Sequence, residues 1–405
     1  MTNDQAIPSE RELPSPGDLP LRDIVVLDLS QIYNGPYATY LLALAGASVI
    51  KIEPPGGEPL RRRGVVGGAA LPFAMLNGCK KSVVLDLKAE DGKDALRQLA
   101  RSADVLVENF SPGVMERLGL GADALHAINP RLIYAASSGF GGDGPYRNHP
   151  AMDLTVQALS GVMETTGYPD RPPVKAGPAI CDFFAGIHLY GAVVTALFER
   201  QRSGIARRVE VAMQDAVYPS LSSSLGQHWA AGDSGLPART GNRHGGLAEA
   251  PYNVYPALDG WVAIICVGER HWQALAEVMG SKHLGRDPRF ATLKDRVLRM
   301  DEVDELVGAW TKARRKQDIF DALIAAHVPC APVRDLDEVL ADPNMHARGA
   351  LHAQDHPELG RIIVPHSPLR FSGLQQRPLE PSRPLGADTA AVLRNLRPRQ
   401  QDAET

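Results

Sequence analysis

The stretch VKAGPAICDFFAGIHLYGAVVTALFER, residues 174–200, places one carboxylate, Asp182, in an otherwise apolar run. The apolar pattern predicts the beginning of a buried helix. Burying a carboxylate without a partner costs several kcal/mol. Asp182 is therefore expected to be a helix cap, a member of a salt bridge or a group that does chemistry.

The elements that must position Asp182 begin with a strand–helix–strand unit in residues 22–57. A β-branched run at 24–29 is followed by a Gly-Pro turn, an apolar helix and a second strand at 48–52. Further strands are predicted in KSVVLDL, ADVLVENF and RLIYAASSGF, each preceded by a helical segment. This alternation predicts an α/β fold with a Rossmann-like open parallel sheet, whose ligands bind at the carboxyl ends of the strands. SQIYNGP replaces the glycine-rich phosphate loop after the first strand, which argues against a nicotinamide cofactor.

The pattern changes near residue 226, where a Gly-rich segment precedes two short strands and helical stretches at 271–280 and 302–327. We expect a smaller α+β domain here, followed by a Pro-rich return to the larger domain. The predicted organisation is a disordered lead-in at 1–20, a large Rossmann-like domain at 21–200, a linker at 201–225, the small domain at 226–328, the return segment at 329–395 and a tail at 396–405.

Composition narrows the class of protein. The chain has 405 residues, of which 44% are hydrophobic and 22% charged, as is typical of globular proteins with more than one domain. A net charge of −4 does not indicate a nucleic-acid-binding protein. The four cysteines stand at no metal-ligand or redox spacing, and we find neither a hydrophobic signal core nor a membrane-length apolar run. A cytoplasmic protein with no membrane or nucleic-acid partner is expected.

Six ordered motifs resemble family III CoA-transferases, the CaiB/BaiF group, across residues from about 20 to 390. They are GPYATYLLALAGASVIKIEPPGG, NGCKKSVVLDLK, ADVLVENFSPGVMERLGL, INPRLIYAASSGFG, AICDFFAGIH and VEVAMQDAV. The resemblance implies an enzyme that moves CoA from an acyl-CoA donor to a free carboxylic acid, with CoA thioesters as substrates and no tightly bound cofactor or metal. Formyl-CoA:oxalate and succinyl-CoA-dependent transferases are the members it suggests.

In this family, the aspartate that matches Asp182 is the nucleophile. Its carboxylate would attack the acyl-CoA thioester to give a mixed anhydride and CoA thiolate, and the thiolate would return to give an aspartyl-CoA thioester. The N-terminus of the helix would keep the carboxylate ionised and stabilise oxyanions.

The resemblance also implies a CoA site. Its predicted residues are Gln31, Ile32, Tyr33, Asn34, Leu85, Lys88, Asn109, Phe110 and Arg117. Two positions depart from the formyl-CoA:oxalate type. That type has Gln where this chain has Tyr33, and Arg where this chain has Pro54. A phosphate contact is then expected from Arg61, Arg62 or Arg63, although this run is equally typical of a solvated loop.

Acid binding is expected from Asp153 and from His244, Gly245 and Gly246, with Arg243 as a further candidate for a carboxylate contact. The two glycines could let a loop close over the anhydride, or could simply connect two domains. Asp153 could equally be a helix cap.

Two other functions remain open. One is an α-methylacyl-CoA racemase, which in this family has a His directly before the position of Asp153. Here that residue is Met152, which cannot carry a proton, and His149 lies three positions upstream. The other is a CoA-binding subunit of a heteromeric transferase, although such a subunit would lack the nucleophile.

The resemblance implies an obligate homodimer with interlocked subunits. The return segment fits this arrangement, because its sparse apolar residues, including Val364, Leu369 and Phe371, lack the periodicity of an independent core and need another surface.

Overall fold

The computed structural model describes residues 18–63, 70–232 and 237–394. Most of the predicted lead-in, up to residue 17, and the whole predicted tail lie outside these residues. The chain divides into two compact units. The first unit comprises Met1–Asn148, Asp182–Ala212 and Pro343–Thr405, and the second comprises His149–Cys181 and Met213–Asp342.

A six-stranded parallel sheet forms the centre of the first unit, with strand order β3-β2-β1-β4-β5-β6. The predicted open parallel sheet is confirmed, since the order reverses direction between β1 and β4 as in doubly wound folds. The strands are β1 (Val25–Asp28), β2 (Ser48–Glu53), β3 (Lys80–Val84), β4 (Val105–Glu108), β5 (Ile133–Ser138) and β6 (Arg208–Ala212).

Helices cover both faces of this sheet. Successive residues of a strand point to opposite faces, so one strand can contribute to a buried cluster on each face. Val26 and Val105 belong to one buried cluster, whereas Leu27 and Leu106 belong to another. A strand that is buried on both faces has no polar alternation, which explains the continuous apolar runs in the sequence. The helices of the first unit are α1 (Asn34–Leu44), α2 (Pro59–Arg62), α3 (Ala70–Asn77), α4 (Glu90–Ala100), α5 (Val114–Arg117), α6 (Ala122–Ile128), α8 (Ile180–Ser203, beginning two residues before the division), α16 (Pro343–Ala347) and α17 (Thr389–Arg394).

The long helix α8 carries Asp182 near its beginning. Its residues Leu189 and Val193 are fully buried in the cluster that contains Val26. Within the described part of the chain, α8 alone has the length and composition that could cross a membrane, a test that core helices also pass. One side of α8 therefore packs on the sheet.

The second unit contains a three-stranded antiparallel sheet, β7-β8-β9, and a core of its own around Trp272, Leu275 and Val307. The strands are β7 (Tyr252–Ala257), β8 (Gly260–Ile265) and β9 (Cys330–Pro332). The helices are α7 (Asp153–Leu159), α9 (Met213–Val217), α10 (Ser222–Ala231), α11 (Glu269–Val278), α12 (Leu293–Val297), α13 (Met300–Thr311), α14 (Lys316–Ala325) and α15 (Leu336–Leu340), with 3₁₀ turns at Tyr218–Leu221 and Lys282–Gly285.

The two units do not follow the boundaries expected from the sequence. The segment expected to be a linker, 201–225, contains β6 and α9. Residues 149–181, expected in the large domain, belong to the second unit. Residues 149–181 join the second unit because they pack on it. Helix α7 contacts α9, and the Gly241 N–H donates to the Gly167 carbonyl at 2.9 Å.

The return segment is more ordered than its proline content indicates. It contains an antiparallel hairpin, β10 (Leu351–His356) and β11 (Gly360–Pro365), in which Val364 is buried. Its last part covers the outer edge of β3, where the Ser82 N–H donates to Asp388 and the Val84 N–H donates to Thr389. This edge strand is therefore closed to pairing with other chains.

Candidate active site

The loop after β1, residues 30–34, is fixed by polar contacts at four of its five residues. The backbone N–H groups of Ser30, Gln31 and Ile32 donate to the side chains of Asp28, Asn109 and Glu58, respectively. The buried side-chain amide of Asn34 donates to Ser137 Oγ at 2.9 Å. Ile32 has a φ of 65°, a strained value for a β-branched residue. Such strain persists only where the surroundings hold the backbone, which is typical of functional loops.

A cavity of about 260 Å³ opens at the carboxyl ends of β1, β2 and β3 in the first unit. It brings together four of the residues predicted for CoA, and its walls are mainly apolar. Its lining residues are Leu29, Gln31, Ile52, Glu53, Pro54, Glu58, Leu85, Asp86, Leu87, Lys88, Phe110, Val114 and Leu118. Arg117, also predicted, is exposed on α5, the short helix that begins at Val114.

Asn109 does not line the cavity but fixes one of its walls. Its Oδ1 accepts from the Gln31 N–H at 2.8 Å, and its Nδ2 donates to the Gln31 carbonyl at 2.9 Å. This pair of bonds joins the loop after β4 to the loop after β1. Asn109 thus holds Gln31 through the backbone, a role that the motif alone did not indicate.

The buried residue Glu108 holds the opposite wall. Its Oε2 accepts from the Phe110 N–H at 2.8 Å, and its Oε1 accepts from the Tyr134 hydroxyl at 3.3 Å. Burial raises the pKa of Glu108 to about 7, while the Phe110 N–H acts in the opposite direction. Glu108 and Glu58 were not among the predicted site residues. Glu108 directly precedes the predicted residue Asn109, and Glu58 accepts a hydrogen bond from the predicted residue Ile32.

Arg61 is not available for a phosphate, because it forms two hydrogen bonds to Glu53, at 2.8 and 3.0 Å, and lies over the Phe73 ring. Arg62 and Arg63 are exposed. Below the loop, Asp28 and Lys80 form a fully buried ion pair at 2.9 Å. Burial lowers the pKa of Lys80 to about 8 against the attraction of Asp28.

Asp182 is the third residue of α8 and is half-buried. The N-terminal turn of a helix stabilises a carboxylate there through unpaired N–H groups and the helix dipole. Gly186 lies one turn later on the same helix face. A Cβ on Gly186 would stand 2.7 Å from the Asn34 carbonyl oxygen. The close approach that glycine permits therefore sets Asp182 beside the loop after β1.

Aromatic rings surround the contact between this loop and α8. The Tyr33 ring stacks on the Phe183 ring with centroids 5.9 Å apart and planes at 20°. The Tyr37 ring meets Phe183 edge-on at 5.0 Å. All three side chains are half-buried, so the surface next to the Asp182 turn is aromatic.

Asp153 begins α7 in the second unit. Its Oδ1 accepts from the Cys181 N–H at 2.8 Å, and its Oδ2 accepts from Gln157 Nε2 at 2.6 Å. These contacts favour the capping role, because Cys181 lies in the first turn of α8.

The predicted His244–Gly246 segment also lies in the second unit. His244 Nδ1 accepts from the Gly246 N–H at 3.1 Å, and a Cβ on Gly245 would stand 3.0 Å from Ser224 Oγ. Arg243 binds Asp304 at 2.8 Å and Asp301 at 2.6 Å. Its charge is therefore already balanced by two carboxylates. Among the residues that the structure describes, no cluster of three or more His, Cys, Asp or Glu is arranged to hold a metal ion.

The parallel sheet, the cavity at its carboxyl edge and the aspartate on the first turn of α8 describe an α/β enzyme of the group that the sequence resembles. The family model of CoA-transferase family III matches residues 21–389, and the chain belongs to this family. It is an enzyme that transfers CoA between acyl-CoA and carboxylic acids.

The curated relatives are CoA-transferases whose names specify different acids. The chain is 39% identical over 381 residues to the acetyl-CoA:oxalate CoA-transferase of Acetobacter aceti, covering 93% of this chain and 95% of the relative. It is 35% identical to the succinate–glutarate CoA-transferase of Agrobacterium fabrum, covering 93% and 96%. Among solved structures, a CaiB/BaiF family protein from Brucella suis superposes with a TM-score of 0.82 and 33% identity, covering 94% of this chain and all of that one.

Proposed function

We propose that Asp182 is the nucleophile of a CoA-transferase that works through mixed-anhydride and aspartyl-CoA thioester intermediates. The observation that carries this proposal is the contact of α8 with the loop after β1 at Gly186 and Asn34. That loop carries Gln31, which lines the cavity, and ends at Asn34, which meets Gly186 one turn after Asp182. A ligand in the cavity can thus extend along the loop to the carboxylate.

CoA is oriented by the charges of the cavity. The exposed cations Lys88 and Arg117 suit its phosphates, and the apolar walls at Leu85 and Phe110 suit its adenine. Buried acidic groups at the inner end, including Glu58, disfavour phosphate there. The pantetheine arm therefore points inward, along the loop of Gln31, Ile32, Tyr33 and Asn34.

The chemistry balances without another reactant. An Asp182 oxygen attacks the thioester carbonyl, the C–S bond breaks, and the products are the mixed anhydride and CoA thiolate. The thiolate attacks the Asp182 carbonyl of the anhydride, which releases the donor acid and leaves aspartyl-CoA. The acceptor carboxylate attacks this thioester and releases CoA thiolate, which then attacks the acceptor carbonyl and frees Asp182. Exclusion of water protects each intermediate from hydrolysis.

We also propose an interlocked homodimer. The outer face of α8 exposes Phe184, Ile187 and Phe198, and the return segment exposes Leu369 and Phe371. Exposed apolar side chains of this size need a cover, and a partner subunit would provide one that exceeds about 2,000 Å². Light scattering at low micromolar concentration tests this proposal, and an active species of 43.6 kDa would contradict it. An active homodimer would also exclude the heteromeric alternative. A cytoplasmic location remains a prediction.

The test of the mechanism uses Asp182→Asn with Asp123→Asn as its control, since Asp123 is an exposed aspartate in the first turn of α6. Each protein is given formyl-, acetyl-, succinyl- and aromatic acyl-CoA with a panel of acids, and the products are followed by mass spectrometry. We expect Asp182→Asn to abolish transfer while CoA affinity changes only a few-fold. Hydroxylamine should modify Asp182 only when acyl-CoA is present. Transfer at the wild-type rate by Asp182→Asn would overturn the mechanism.

A further inference from the structure

The acid substrate is recognised beside Asp182, so the side chains around that turn restrict its chemistry. The half-buried rings of Tyr33, Phe183 and Tyr37 form a continuous aromatic cluster there. Gly186, one turn after Asp182, closely approaches both the Asn34 carbonyl and the Tyr37 side chain of this cluster.

The neighbouring polar side chain of the loop is Asn34, which is 2% exposed and donates one amide hydrogen to Ser137 Oγ. Because Asn34 is buried, its second amide hydrogen is not presented to a carboxylate at the surface of the cluster. The faces of aromatic rings carry negative partial charge, so they attract apolar or aromatic groups and repel a carboxylate.

A second observation comes from Arg243, the cation that the sequence suggested for an acid substrate. Its guanidinium binds both Asp301 and Asp304, and Asp304 also accepts from Tyr255 and Asn253. Releasing Arg243 to a second carboxylate of the substrate would leave these acidic groups without their cation. A dicarboxylic acid thus gains little from this arginine.

We propose that the preferred acceptor is a monocarboxylic acid with a flat apolar or aromatic body, bound against the Tyr33 and Phe183 rings. The inference rests on the proposed transfer through Asp182. It sets this enzyme apart from the relatives named above, whose names specify oxalate, succinate or glutarate.

The test compares kcat/KM for benzoate and cinnamate with that for oxalate and succinate, using the acyl-CoA donor that gives the fastest transfer. We expect the wild-type enzyme to favour the aromatic acids by at least about tenfold, the scale of one good apolar contact. Tyr33→Gln should reduce this preference by about tenfold, whereas Tyr33→Phe should keep it. The ratio of two kcat/KM values on one preparation does not depend on the fraction of folded enzyme.

The outcomes separate the two proposals. Asp182-dependent transfer that favours oxalate or succinate would overturn the acceptor class and leave the mechanism standing. An unchanged preference in Tyr33→Gln would also overturn the aromatic contact. Absence of transfer to every acid would overturn the proposed function and the acceptor class with it.

Discussion

The carboxylate of Asp153 accepts a hydrogen bond at 2.8 Å from the backbone N–H of Cys181, the residue immediately before Asp182. The second oxygen of Asp153 binds Gln157, whose own side-chain oxygen accepts from the Ala176 N–H at 2.9 Å. One carboxylate therefore organises the backbone that leads into Asp182, the proposed nucleophile. An acidic residue in this position can act on the reaction without touching the substrate.

Two substitutions of Asp153 separate the effect of its charge from the effect of its hydrogen bonds. Asp153→Ala should lower the free energy of unfolding by about 1–2 kcal/mol, since it removes a cap and a charge-assisted bond. It should also lower kcat more than it raises the KM for CoA. Asp153→Asn keeps an oxygen for the Cys181 N–H and should retain most of the activity. Equal losses in the two variants would instead assign a direct role to the charge, as expected for a substrate contact.

Asn109 should determine CoA affinity without touching CoA. Asn109→Ala removes both bonds to Gln31 and should weaken CoA binding by up to about thirtyfold, since each bond contributes about 1 kcal/mol. Asn129 is the matched control, because its side-chain amide likewise forms two bonds to backbone groups, here the carbonyls of Ala100 and Ala103. Asn129→Ala should lower stability and leave the Kd for CoA unchanged in calorimetry. Similar Kd values for the two variants would contradict the role of Asn109.

Two glycines of α8 provide a comparison within one helix. Gly186→Ala introduces a Cβ 2.7 Å from the Asn34 oxygen, whereas a Cβ on Gly191 meets nothing within 4 Å. Gly186→Ala should therefore displace the Asp182 turn and lower kcat by tenfold or more, on the order of the cost of a 1 Å misplacement. Gly191→Ala should raise helix stability by up to about 1 kcal/mol. Full activity in Gly186→Ala would show that the close approach does not position the nucleophile.

The pH dependence of stability should show the raised pKa of Glu108. Its pKa is raised to about 7 by burial, so the folded state holds its proton more tightly than the unfolded state does. The resulting stability is complete below the unfolded pKa of about 4.3. It is lost as pH rises through 7, with a total on the order of 3–4 kcal/mol.

The measurement is urea unfolding of the wild type and Glu108→Gln between pH 4.5 and 8. The difference between the two proteins should change with pH in this window, because Gln does not titrate, whereas the other carboxylates contribute equally to both proteins. A difference independent of pH would refute the raised pKa.

The enzyme should not exchange the α-proton of a 2-methylacyl-CoA. Met152 occupies the position before Asp153, and its thioether cannot carry a proton. Deuterium incorporation from D₂O should stay at the level of the reaction without enzyme. Exchange as fast as CoA transfer would support the racemase alternative and direct attention to His149.

The sequence predicted the elements whose patterns are set by burial. Strands such as β1 and β4 are buried on both faces and read as continuous apolar runs. β6 was missed because it is an edge strand in which exposed and partly buried residues alternate within a charged segment. The polar hairpin strand β10 was missed for the same reason.

The candidate site was predictable in its residue types but not in its contacts. Gln31, Leu85, Lys88 and Phe110 meet in one cavity as the motifs suggested. The bond that fixes Gln31 joins residues 78 positions apart, and no local pattern encodes such a distance. Likewise, a charged Arg243 looks available in the sequence, and only its two aspartate partners show that it is not.

The cover over the edge of β3 has a consequence for protein synthesis. The hydrogen bond from the Val84 N–H to Thr389 spans 305 positions of the chain. At about 5–20 residues per second, the ribosome needs roughly 15–60 s between the two residues. During that interval β3 is a bare strand edge in a nascent chain, open to pairing with its neighbours on the same messenger. A chain that stops before Asp388 should therefore aggregate although its parallel sheet is otherwise complete, so a stop codon at that point is as harmful as one far upstream.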